Sequence, residues 1–108
     1  MRKWSLLAVA SVVSLAATAS GADRKADPVR GKEVFEQCAV CHAATTTQRK
    51  MGPSLKSVFK KPTLTNGQKP TDESVLAFIN KGKGSMPAFA EVLSSQEKAD
   101  VIAYLKTL

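Results

Sequence analysis

Both cysteines and the single histidine of this 108-residue chain lie within five positions, in the stretch EQCAVCH from Glu36 to His42. Cys38, Cys41 and His42 stand at i, i+3 and i+4, neighbours on one face of a helical segment, so three ligating side chains converge on one object. Structural zinc needs four ligands at tetrahedral angles, and the chain has no further cysteine or histidine. A redox-active Cys-x-x-Cys pair expects a strand-helix-strand setting, which the sequence does not offer.

What remains is a covalently held haem. Two thiols become thioethers to the porphyrin edge, and the adjacent histidine reaches the iron. Cys-x-x-Cys-His is the established attachment signature for this chemistry. A plain cysteine pair is the alternative. A disulfide across two intervening residues would close too small a loop to staple a fold.

The N-terminus accords with attachment outside the cytoplasm. Arg2, Lys3 and Trp4 precede an apolar stretch from Leu6 to about Ala19, followed by small residues through Ala22. That is the order of a secretory signal peptide, expected over residues 1–22 with cleavage after Ala19 or Ala22. The apolar run carries Ser11, Ser14 and Thr18 and falls short of the roughly 20 residues that span a bilayer, so an uncleaved anchor is the lesser reading. Cleavage leaves 89 or 86 residues, with 14 basic against 9 acidic side chains and no tryptophan. A single core near this size supplies only about 3 to 5 kcal/mol, so a large apolar ligand would help the chain fold.

Downstream, residues 23–108 read as one helical domain. Asp27-Pro28 caps a first helix expected over Pro28 to His42, with Gly31 inside it where something packs close to the backbone. A short helical piece is expected over Ser54 to Lys60, then an irregular loop from Pro62 to Pro70 with an Asn66-Gly67 turn. A second helix starts at Thr71 or Asp72 and stops at Gly82. The last opens with the capping box Ser94-x-x-Glu97 and carries Val101, Ile102, Tyr104 and Leu105 along one side. Nothing reads as sheet.

With His42 on one side of the iron, the opposite position falls to Met51, Met86, a lysine or water. Met86 lies in KGKGSMPAF, a loop free of helical geometry and an odd place for a methionine that only fills a core gap. Met51 is nine residues from His42, a short tether to the opposite face.

The ordered set GKEVFEQCAVCH, MGPSL, GSMPAF and VIAYLKTL resembles the class I c-type cytochromes, in particular the small bacterial monohaem ones, over about Val29 to Leu108. The resemblance implies an all-α fold of about four helices wrapped around one haem c, the N- and C-terminal helices crossing through Gly31, Phe35 and Tyr104. It implies thioethers at Cys38 and Cys41, iron ligation by His42 and Met86, a Pro53 carbonyl accepting the free imidazole N–H, and Leu55 packed on the haem. Two departures stand out. The mature chain lacks the tryptophan with which longer relatives hold a haem propionate, and its stretch from Gly52 to Met86 is short.

An iron closed by histidine and methionine is built for electron transfer and not for binding oxygen. The expected function is therefore a periplasmic electron carrier, not an enzyme, cycling Fe(III)/Fe(II) between redox proteins. A haem subunit dedicated to a dehydrogenase or oxidase is the alternative, and a peroxidase or gas sensor with a labile Met86 is a more distant one. Lys60, Lys61, Lys81 and Lys83 flank the loops expected around the haem and suit partners with acidic patches. Export, and the lack of a basic stripe interleaved with aromatics, argue against nucleic acid.

Overall fold

The computed structural model describes residues 10–11 and 24–108, so the expected signal peptide lies outside the described residues apart from two positions. Local chemistry sets each helix. In α1 (Pro28–Phe35) the Asp27 carboxylate accepts the Val29 N–H at 2.8 Å, and proline occupies the first position, where no N–H is needed. In α2 (Asp72–Lys81) Thr71 and Ser74 cap each other reciprocally, and Gly82 at φ 67 ends the helix where it was expected to stop. In α3 (Ser95–Leu105) the Ser94–Glu97 box forms with bonds of 3.1 and 2.9 Å. A 3-10 turn, Val58–Lys60, is the fourth helical element. Apart from an isolated bridge between Lys83 and Met86, the described residues contain no strand.

Two boundaries differ from the sequence reading. The first helix ends at Phe35, not His42. Beyond it Cys38 N–H bonds Phe35 O at 2.7 Å and Cys41 N–H bonds Cys38 O at 3.1 Å, the tighter i to i+3 closure common at helix ends. Bonds of the ordinary helical span, Ala39 N–H to Phe35 O and His42 N–H to Cys38 O, both 2.9 Å, alternate with them. The segment expected as helix over Ser54 to Lys60 is helical only from Val58, because Ser57 sits in the left-handed region at φ 58 and interrupts the run.

Helix α1 packs across α3, and α2 touches α3 more lightly. The crossing centres on Gly31: a Cβ there would collide with the Asp100 carbonyl and lie 2.8 Å from Tyr104 Cβ. Phe35 and Tyr104 pack beside it with ring centroids 5.3 Å apart and planes at 55°, a tilted aromatic pair. Phe35, Val58, Val75, Val101, Ile102 and Leu105 form the buried core.

One polar cluster seals the same crossing. Asp100 is 2% exposed. It accepts from Arg30 Nε at 3.0 Å, from the Asp27 backbone N–H at 2.9 Å and from Gln96 Nε2 at 3.0 Å. Burial alone would raise the Asp100 carboxyl pKa, but these hydrogen bonds and the Arg30 charge outweigh it and hold the group below the usual aspartate range. The cluster ties the approach to α1 onto α3, and the sequence pattern gave no sign of it.

Candidate cofactor site

A cavity of about 460 Å³ opens between the Cys38–His42 turn, the loop after Gly52, α2 and the loop that carries Met86. That is within the roughly 300–1,000 Å³ of ligand sites. Its deep wall is the core itself, since Phe35, Val58, Val75, Val101 and Leu105 belong to both.

Cys38, Cys41 and His42 all line this cavity. His42 N–H bonds Cys38 O at 2.9 Å, closing one helical turn, so the convergence argued from the spacing holds although the long helix does not. Both thiols are free. Burial, with the neighbouring Cys41 adding to it, pushes the Cys38 thiol pKa up, so its sulfur stays protonated at neutral pH.

The imidazole is fixed from behind. His42 Nδ1 lies 2.7 Å from the Pro53 carbonyl oxygen, which can only accept. Nδ1 therefore carries the proton, and the lone pair is left on Nε2. Gly52 is part of this mount. A Cβ on it would lie 2.7 Å from His42 Nδ1, so the bare backbone is what lets the chain lie against the ring. Gly52 N–H bonds Cys41 O at 2.8 Å, binding the two segments together. Leu55 packs against the core and lines the cavity beyond.

Both candidate methionines reach the cavity, by different routes. Met51 is 73% exposed, and its Sδ lies 3.8 Å from Cys41 Sγ, on the wall that already carries the cysteine and, through Gly52, the imidazole. Met86 is half-buried in a turn closed by Lys83 N–H to Met86 O at 3.1 Å and Met86 N–H to Lys83 O at 3.0 Å. Gly82 makes room for it, since a Cβ there would strike the Met86 carbonyl. Phe89 N–H to Ile79 O at 3.0 Å then pins the loop back on α2. Of the four lysines singled out in the sequence, Lys61 and Lys83 line the cavity, while Lys60 and Lys81 are exposed away from it.

The donor set suits haem. Two thiols and an imidazole with its free nitrogen available stand on one wall, a thioether reaches the cavity from a separate loop, and apolar core lies between. No carboxylate of the described residues lines the cavity, which disfavours a hard cation.

Residues 26–105 match the family model described as cytochrome c oxidase, cbb3-type, subunit III. The chain is 38% identical over 81 residues to cytochrome c6 of Leptolyngbya boryana, covering 74% of this chain and 91% of that one. It is 30% identical over 122 residues to cytochrome c2 of Rhodomicrobium vannielii, covering 97% and 94%. Among solved structures, cytochrome c6 from the diatom Phaeodactylum tricornutum aligns with a TM-score of 0.59 at 33% identity, covering 75% of this chain and 92% of that one.

Proposed function

The chain belongs to the class I c-type cytochromes, a family of electron-transfer proteins, and from that premise we propose that it is a periplasmic carrier of one haem c, ligated by His42 and Met86. The observation that carries the reading is the His42 mount, with Nδ1 spent on Pro53 and Nε2 left for a metal. Bound in the cavity, haem supplies a one-electron Fe(III)/Fe(II) couple.

The chain's own residues do the rest. Cys38 and Cys41 would hold the haem edge as two thioethers, each thiol S–H being added across a vinyl group with no change of oxidation state. Pro53 holds the ring orientation and strengthens the imidazole as a donor. Met86, in a loop pinned at both ends, supplies the soft ligand that favours the reduced iron. The apolar wall of Val75, Val101 and Leu105 excludes water, so little need reorganise when the charge changes. An exposed rim near Cys41, with Val40 75% and Met51 73% exposed, leaves a short path for the electron. Lys61 and Lys83 at the mouth suit partners with acidic patches.

A family match that begins at residue 26, after the signal peptide proposed for residues 1–22, is consistent with export. Among the described residues no helix is long and apolar enough to cross a membrane. The description of the family model as an oxidase subunit favours one second reading, a haem subunit held permanently by an oxidase. Gel filtration of the protein from its native source separates the two.

The ferric absorption spectrum of the exported protein tests the ligand set. The weak sulfur-to-iron band at the red end should be present, vanish in Met86→Ala and survive in Met51→Ala. Its absence from the native protein, or its loss in Met51→Ala alone, would overturn the assignment.

A further inference from the structure

Besides Met1, which falls in the expected signal peptide, the chain has two methionines, and the fold gives them opposite settings. Met86 is half-buried in a loop pinned to α2, and the proposed iron bond would occupy its sulfur lone pair. Met51 is 73% exposed and stands at the mouth of the cavity, with no part in the buried core. Among the described residues four large apolar side chains stay exposed, Val29, Val40, Met51 and Val92. Only Val40 and Met51 of these line the cavity, and only Met51 carries sulfur.

The neighbours of Met51 enforce its exposure. Lys50 Nζ donates to Ala39 O at 2.7 Å, Lys50 N–H bonds Gly52 O at 3.1 Å, and Gly52 N–H bonds Cys41 O at 2.8 Å. The chain on either side of Met51 is therefore fastened to the Cys38–His42 turn. Its side chain is left over Cys41, with Sδ 3.8 Å from Sγ. A thioether so held is open to dissolved reagents while it touches the sulfur that would carry the haem.

We propose that Met51 is a site of reversible oxidation by peroxides, and that its sulfoxide lowers the reduction potential of the haem. The oxidation stands on exposure and packing; its effect on the potential rests on the haem reading above. In the step, the Met51 sulfur attacks the terminal hydroxyl oxygen of hydrogen peroxide or an alkyl hydroperoxide. The S–O bond forms as the O–O bond breaks, and the sulfur loses two electrons. The leaving hydroxide or alkoxide takes the hydroxyl proton and departs as water or alcohol. A methionine sulfoxide reductase reverses the change, oxidising a dithiol to a disulfide and releasing water. Oxidation turns a flexible apolar side chain into a polar one. A polar group at the haem edge favours the more highly charged ferric state, because a charge is better stabilised in more polar surroundings. Met86, with its sulfur engaged, leaves the ligand set unchanged.

The test is peptide mass mapping together with potentiometry on the exported, haem-loaded protein, before and after a stoichiometric dose of hydrogen peroxide. The Met51 peptide should gain one oxygen while the Met86 peptide gains none and the ferric sulfur-to-iron band persists. The potential should shift down, and methionine sulfoxide reductases A and B together should return it, since each acts on one sulfoxide epimer. Met51→Leu keeps the apolar volume without the sulfur, at a position outside the core, and should hold its potential through the same dose. A Met51 peptide without added oxygen, oxidation of Met86 ahead of it, or a potential unchanged once Met51 is oxidised overturns the proposal, as does an equal shift in Met51→Leu. Absence of covalent haem from the native protein's spectrum would instead bring down the haem reading, and the effect on the potential with it.

Discussion

Gly52→Ala isolates the packing behind the His42 imidazole. Gly52 does not use the left-handed region, so alanine can adopt its backbone and the effect is steric. The added methyl would lie 2.7 Å from His42 Nδ1 and 3.0 Å from Nε2, inside van der Waals contact with the ring. Neither side yields easily. Gly52 is held by its N–H to Cys41 O at 2.8 Å and its carbonyl to Lys50 N–H at 3.1 Å, and His42 by its N–H to Cys38 O at 2.9 Å. The softest element is the 2.7 Å bond from Nδ1 to Pro53, which must tilt or lengthen.

Overpacking of this kind costs about 1 to 3 kcal/mol, and the entropy that alanine removes from the unfolded chain returns about 0.4 to 1. The expected net loss therefore lies between about 0 and 2.6 kcal/mol, centred near about 1.3. Each kcal/mol lowers the melting point of a domain this small by about 4 to 8 °C, measurable by circular dichroism on the haem-loaded protein. A weaker Nδ1–H bond also makes the imidazole a poorer donor, so the potential should rise. A melting point and potential both indistinguishable from the native protein would refute the idea that Gly52 is present to let the ring seat.

Gly31→Ala should cost more than Gly52→Ala, because the methyl meets the Asp100 carbonyl, which is backbone and cannot step aside; chemical denaturation checks the order. The carboxyl of Asp100 has a lowered pKa in the folded state, so its stabilisation is complete above the ordinary value of 3.8 and lost as pH falls through the folded pKa. Asp100→Asn should therefore lower the denaturation midpoint at neutral pH and flatten its fall in acid, and a midpoint-against-pH series that keeps the native slope would contradict this.

The parts of the fold legible in the sequence were those that local chemistry decides. Thr71 and Ser94 start their helices as capping side chains, Gly82 ends one, and Gly31 marks the tight crossing. The length of α1 was not legible, because the apolar and cysteine pattern continues in helical register past Phe35 while the hydrogen bonds tighten. Periodicity cannot separate a helix from a train of turns with nearly the same repeat. Asp100 was hidden for another reason. An acidic residue beside Val101 and Ile102 reads as solvent-facing, and its partners Asp27 and Arg30 lie 73 and 70 positions away. At the site, the cysteines, the histidine and the Met86 loop were visible because their residue types are rare in this chain. Gly52 was not, since glycine carries no chemistry until the fold shows what it faces.

The shared wall between core and cavity limits what mutations can reveal. Phe35, Val75, Val101 and Leu105 are at once the packing of the domain and the lining of its site, so truncating any of them removes core contacts and haem contacts together. A loss of haem in such a variant could follow from unfolding, and unfolding could follow from loss of haem. The rim escapes this coupling. Met51 and Lys61 are exposed and stand outside the buried core, so changes in potential or ligation seen there can be read as properties of the site. Binding and folding are thus one process in the interior of this small domain, and the groups free to tune the electron's energy lie at its edge.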